Sequence, residues 1–262
     1  MGNSRVRMMT VEKKPETGPF GTRKFYQYPL IYENGGFRLQ TEWDEACSYG
    51  KKYGRTEGST FFCQYDVKDV VIGNYRIATS DDFSVLKFMF NNGVNAYSNN
   101  RVGSTYNGTP GALFSFVRIY RMNGIGGIYG YIFFPDGCVI NGVTLSYMNP
   151  NYSGADIGQT SPSINYNIVT RDQLIELLAQ GVLFMPFLGS YGYGYGTSQG
   201  WQNIDVSGHF IAGDSTSGAG TKYAYWVNGV NDGRVIVGAG GGTGESATPV
   251  PYYFPAILCR DI

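Results

Sequence analysis

Charge is what this sequence has least of. Only 15% of its 262 residues are charged, with 20 basic against 20 acidic, so the formal net charge is zero. A chain that grips a nucleic-acid backbone needs a cationic stripe, and none stands out. Lys13, Lys14, Arg23 and Lys24 gather near the start, but Glu12 and Glu16 dilute them. There is a single histidine, His209, which stands alone at an expected strand start. It reads as a structural residue, not as half of a nucleophile–base pair. The four cysteines, Cys47, Cys63, Cys138 and Cys259, show no Cys-x-x-Cys spacing, which argues against a zinc knuckle. In a chain this long they are expected as partly buried thiols, because the core does not need disulfides. No run approaches the roughly 20 apolar residues of a membrane span. The opening, MGNSRVRMMTVEKKPETGPFG, has no apolar segment of the secretory kind. The chain is therefore expected to start out soluble in a cytoplasm, without membrane insertion.

What is abundant is glycine (38) and tyrosine (22), in a chain that is 42% hydrophobic. That much apolar residue supports a sizeable core and speaks against disorder. Tyrosine with Gly, Ser and Asn is also the vocabulary of adaptable binding surfaces, although tyrosine equally suits ordinary strands.

Residues 1–24 are polar and show no period, so they read as an extended arm. Residues 25–45 alternate about Asn34-Gly35-Gly36, a hairpin signal. One or two short strands are expected within 59–72. A first helix should begin with Thr79 or Ser80 as cap, gain from Asp81 and Asp82, carry Phe83, Leu86 and Phe90, and end at Asn91-Asn92-Gly93. Residues 94–112 read as a loop, 113–121 and 128–135 as strands, and 138–167 as a second long loop. A second helix should be capped by Thr170 and Gln173, bury Leu174, Leu177 and Leu178, and stop at Gly181. Strand 182–187 follows, then a glycine–aromatic stretch, then strand candidates at 208–212, 222–228, 233–237 and 252–259. The Gly192-Tyr193-Gly194 and Gly238 to Gly244 stretches lack the strand–turn–helix context of a dinucleotide site and read as loops. With no βαβ period, the fold class is α+β, two helices with many antiparallel strands.

Four stretches carry a resemblance. They are Tyr75-Arg76-Ile77-Ala78-Thr79-Ser80-Asp81-Asp82-Phe83, the run from Met122-Asn123-Gly124 to Phe134-Pro135-Asp136-Gly137, the run from Gln180-Gly181 to Leu188-Gly189-Ser190-Tyr191, and an ending. The ending comprises Gly208-His209-Phe210, Tyr223-Ala224-Tyr225-Trp226-Val227 and Pro255-Ala256-Ile257-Leu258-Cys259-Arg260-Asp261-Ile262. In order and spacing they resemble the C-type-lectin-like domains of Bacteroidetes and their phages. These are akin to the Fibrobacter succinogenes major paralogous domain and, more distantly, to the formylglycine-generating enzyme fold. Where that group has Trp-Ser-Ser-Thr, this chain has Ile211-Ala212-Gly213-Asp214. The resemblance implies a C-type-lectin-like fold over 61–262, with two helices flanking twisted antiparallel sheets. An arm and assembly segment over 1–60 precedes it. It also implies that the ends of the domain pair, with 253–259 beside a strand near 61–67.

No catalytic residue is carried over. The calcium-lectin motifs are absent, and Asp156, Asp205, Asp214 and Asp232 are scattered. No cofactor or metal is expected. The ligand-face candidates are Tyr191, Tyr193, Tyr195 and Trp201, with Asp214, Tyr225, Asn228 and Asn231 on later loops. The leading expectation is a phage virion protein, a head or tail fibre, decoration or receptor-binding component assembled in the host cytoplasm. Its arm would meet other virion proteins, and it would self-associate, a trimer being one option. Its outward face would meet a host glycan or protein, and nucleic acid is not a partner. A bacterial surface adhesin is the alternative, and a formylglycine-generating-type enzyme stands last.

Overall fold

In the computed structural model the described residues are 16–41, 52–84, 86, 88–91, 94–97, 105–106, 109–110, 114–120, 127–145, 167–193, 199–202, 207–213, 221–227, 238–240 and 253–262. They form a β-rich α+β fold of open sheets with short helices. The helices are α1 (Gln64–Val67), α2 (Ser80–Ser84) and α3 (Arg171–Ala179).

The end of the chain organises its beginning. Strand Leu258–Asp261 lies between Arg23–Phe25 and Tyr75–Ile77, antiparallel to both, and Val71–Ile72 closes the sheet beyond Tyr75–Ile77. Side chains alternate across a strand, and here each side meets a different apolar cluster. Phe25, Ile257 and Cys259 enter the larger one, while Tyr26, Ala256 and Leu258 enter the smaller. Phe61 and Phe62, and Phe210 and Ile211, split the same way. The expected neighbour of the last strand, near 61–67, is therefore corrected: only Phe254 reaches Phe62, through one bridge. Strands at 23–25 and 75–77 hold the pairing instead, because their alternation matches both clusters. Residues 16–24, read as arm from sequence, are anchored in the same body together with Phe25 and Tyr26. Phe20 and Phe25 are buried in the larger cluster beside Phe83, and Phe25 stacks on Phe83 with ring centroids 6.1 Å apart.

The larger cluster lies on a four-stranded sheet ordered Asn167–Thr170, Phe114–Tyr120, Ile128–Phe133, Leu183–Pro186. Its first pair is parallel, the others antiparallel. The two edge strands, Asn167–Thr170 and Leu183–Pro186, therefore run parallel, which needs a crossover, and α3 supplies it. The capping box of α3 forms as the sequence predicts. Thr170 Oγ1 accepts from the Gln173 N–H at 3.2 Å, and Gln173 Oε1 accepts from the Thr170 N–H at 2.9 Å. Leu174, Leu177 and Leu178 are buried, and Gly181 takes φ +87° just past the end. Losing the Thr170 hydroxyl in Thr170→Ala should cost about 1 kcal/mol in urea unfolding. The C-terminal end of α3 is closed from far away. Gln27 Nε2 donates to the Leu178 and Val182 carbonyls at 2.6 and 3.1 Å, and the Gly18 N–H donates to Gly181 O at 2.9 Å. In the sheet, Gly130 faces Pro186, and a Cβ there would sit 2.6 Å from Phe184 Cε2 and 2.7 Å from Met185 O. Gly130→Ala should therefore destabilise the fold by about 1–3 kcal/mol, because backbone cannot step aside as a side-chain tip can. An unchanged thermal midpoint would refute that packing.

The predicted hairpin is Leu30–Glu33 with Gly36–Leu39, turned by Asn34 at φ 53° and Gly35 at φ 76°. Both central residues being left-handed marks the primed turn that suits strand twist. Ser59–Phe61 pairs with Leu30–Glu33 and, in parallel, with Lys52–Tyr53.

Several expectations change. The first helix ends at Ser84, and Phe88–Asn91 is a strand paired with Val94–Tyr97. Its cap is Thr79, whose backbone N–H and hydroxyl both donate to Asp82 Oδ2, at 2.8 and 2.9 Å. Phe88, Met89 and Phe90 are apolar residues that suit either period, and Asn-Gly signals a hairpin as readily as a helix end. The loop 94–112 contains Thr105–Tyr106 and Thr109–Pro110 as short strands, and Val139–Ile140 lies parallel to the first of them. The glycine-rich pieces Ser190–Tyr193 and Gly238–Gly240 are strands, paired with Gln199–Gln202 and Thr221–Tyr223. Strand candidate 233–237 lies outside the described residues. No helix among the described residues is long and apolar enough to cross a membrane.

Candidate functional site: a tyrosine platform

Three tyrosines from distant parts of the chain meet at the surface. Tyr53 ends the two-residue strand Lys52–Tyr53, and Gly54 follows at φ +68°, a conformation that favours glycine. Tyr191 sits on Ser190–Tyr193. Tyr253 exchanges backbone hydrogen bonds with Tyr191 at 2.8 and 3.0 Å, while the next residue, Phe254, exchanges two at 2.9 Å with Phe62. These pairings carry the Tyr191 ring onto Tyr53. The two rings stack with centroids 4.0 Å apart and an interplanar angle of 17°. Tyr253 tilts against them, 4.9 Å from Tyr53 and 6.1 Å from Tyr191. Tyr53 stays 37% exposed, whereas Tyr191 and Tyr253 are half-buried.

The polar surroundings are mutually satisfied. Cys63 begins α1, and its thiol donates to Asp66 Oδ2 at 3.2 Å while its N–H donates to the same oxygen at 3.0 Å. Arg55 Nη2 donates to Asp66 O at 2.9 Å, and its guanidinium lies 5.6 Å from the Phe37 ring centroid. Lys52 Nζ donates to Glu57 O at 2.7 Å, and the Glu57 carboxylate accepts the Asn34 N–H at 3.0 and 3.1 Å. Burial, then the nearby Cys63 and Asp66, raise the Tyr253 hydroxyl above its ordinary value, so the ring is a neutral phenol.

A second polar cluster is structural. The Asp82 side chain is wholly buried and accepts from Arg23 Nε at 2.6 Å and from Arg76. Arg23 also pairs with Asp261 at 2.5 Å. Burial alone would raise the Asp82 carboxyl; Arg76, then the Thr79 N–H and hydroxyl, outweigh it and hold the carboxyl below its usual range. Across the sheet, Glu16 accepts from Arg260 Nε and Nη2 at 3.0 and 3.1 Å and from the Tyr75 hydroxyl, with Lys24 at 3.5 Å. Burial opposes ionisation of Glu16 as well, but Arg260, Tyr75 and Lys24 leave its carboxyl lowered. Burial pushes the Cys259 thiol up to about 12, with Asp82 adding to the shift, so this thiol is no nucleophile. Burial likewise pushes the Cys138 thiol up to about 11. Among the described residues no group of three or more His, Cys, Asp or Glu could hold a metal ion.

Of the residues singled out from sequence, the platform contains Tyr191. Tyr193 lies two places along the same strand, and Trp201 is in register with Tyr191 on the paired strand. Tyr225 is elsewhere, opposite His209 on strand Thr221–Val227. Tyr195, Asp214, Asn228 and Asn231 lie outside the described residues. Sequence reading missed Tyr53 and Tyr253. The short Lys52-Tyr53-Gly54 run carries a weak turn signal, and no local pattern singles out Tyr253. Compared with known proteins, the chain matches no family model, no curated protein and no solved structure.

Proposed function

We propose that the chain is a non-enzymatic structural and binding protein of a phage particle, built on a C-type-lectin-like domain. The observation that carries this is the last strand, Leu258–Asp261, held between Arg23–Phe25 and Tyr75–Ile77. Closing the chain on itself this way brings Tyr191 and Tyr253 to the early hairpin sheet, where the tyrosine platform forms with Tyr53. The order of the four motif stretches supports the lectin-like reading. Low charge and a tyrosine- and glycine-rich composition support a role in display and contact more than in chemistry. Residues 1–15 precede the Glu16 anchor and serve as the contact to sister subunits and other virion proteins.

The test is sedimentation of the full chain against a chain lacking residues 1–15, which keeps the anchored strap, residues 16–26, intact. The full chain should run as a defined oligomer and the shortened one as a folded monomer. Monomeric behaviour of both would overturn the virion reading and leave a free adhesin as the better account.

A further inference from the structure

We propose that the Tyr53–Tyr191–Tyr253 platform binds an uncharged pyranoside, with the sugar's C–H face on the outer face of Tyr53. The proposal rests on reading the chain as a binding protein and names the ligand of that site. Stacking by Tyr191 at 4.0 Å covers one face of the Tyr53 ring, and Tyr253 braces its edge at 4.9 Å. Tyr53 as a residue remains 37% exposed, and its ring is already fixed in place by these two neighbours. A preorganised ring loses little entropy when a ligand lands on it, and a flat π-face suits an apolar C–H surface.

Charge then narrows the ligand. Asp66 and Phe37 engage Arg55, Glu57 O engages Lys52, and the Asn34 N–H engages the Glu57 carboxylate. Among the described residues the charges flanking Tyr53 balance, Lys52 and Arg55 against Glu57 and Asp66, so the site offers a phosphate, sulfate or carboxylate no net attraction. A neutral sugar needs only the ring and hydrogen bonds that these exposed side chains can share. Size argues against a protein partner. Three tyrosines, each burying about 150–250 Å² at most, fall short of the roughly 800 Å² per side of a standard protein interface.

The experiment is saturation-transfer NMR and titration of the full chain with neutral methyl hexosides and their short oligomers, and with sulfated and sialylated counterparts. Tyr53→Ala and Tyr53→Phe are compared, with thermal midpoints recorded for each. Neutral glycosides should give transfer, Tyr53→Ala should weaken binding about tenfold or more, and Tyr53→Phe should hold within about threefold. No transfer to any neutral glycoside, tighter binding of the charged series, or equal binding by a folded Tyr53→Ala would each overturn the proposal. Oligomer formation by the full chain is measured separately. Assembly without glycoside binding would remove this inference alone, and glycoside binding by a monomer would remove the virion reading alone.

Discussion

Phe20→Ala is expected to destabilise the whole domain by about 3–5 kcal/mol, the cost of emptying a phenylalanine site in a packed core. Phe20 is 1% exposed and meets Phe25 edge-on, with centroids 5.8 Å apart. Around it the strap's own backbone groups help to tie it down. The Gly18 N–H bonds to Gly181 O, the Asp136 N–H to Pro19 O at 2.7 Å, and the Gly21 N–H to the Asp136 carboxylate at 2.7 Å. A Cβ on Gly18 would lie 2.7 Å from Pro135, so the strap fits the body closely. Urea unfolding measures the effect. If residues up to 60 were a separate anchor, the variant would leave the main transition where it was.

Asp82→Ala should cost about 3 kcal/mol, the lower end for breaking a buried ion pair. Two guanidiniums lose their shared partner, yet Arg23 and Arg76 are 26% and 37% exposed, so water takes over part of the interaction. The two bonds that Thr79 donates to the carboxylate are lost in the same step, while Thr79 Oγ1 keeps the backbone N–H of residue 82. The sign of the pH dependence follows from the lowered carboxyl. A depressed folded-state value means the stabilisation is fully present above the unfolded value near 3.8 and fades as pH falls through the folded one. The wild type should therefore lose stability on acidification more steeply than Asp82→Ala, with Glu16 contributing in the same direction in both. Parallel acid limbs for the two proteins would show that Asp82 does not carry this linkage.

How much was readable in advance depended on how local each signal was. Helix α3 was legible to the residue because Thr170, Gln173 and Gly181 are caps that act within four positions, and Leu174, Leu177 and Leu178 keep one face. The Asn34-Gly35 turn was legible because its backbone demands φ values that few other residues accept. The first helix was overextended: Phe88 to Phe90 satisfy a helical face as well as a strand, and only the pairing with Val94–Tyr97 decides between them. The strap was hidden for a different reason. Its polar composition looks like an arm, and its core residues, Phe20, Phe25 and Tyr26, show no period. The partners that bury it, Phe83, Gly181 and Leu258–Asp261, lie far along the chain.

The same division runs through the site. Tyr191 stood out in a glycine–aromatic run, but its stacking partner Tyr53 comes from a two-residue strand more than a hundred positions earlier. The sequence by itself determined the β-rich α+β character, the capped third helix and the primed hairpin. Those follow from composition and from backbone preferences that act within a few residues. The tertiary structure alone decided that the last strand lies between two early ones, that residues 16–26 belong to the core, and that three tyrosines share one surface. Each of those depends on which distant strands can bury both of their faces at once, and no window of sequence records that.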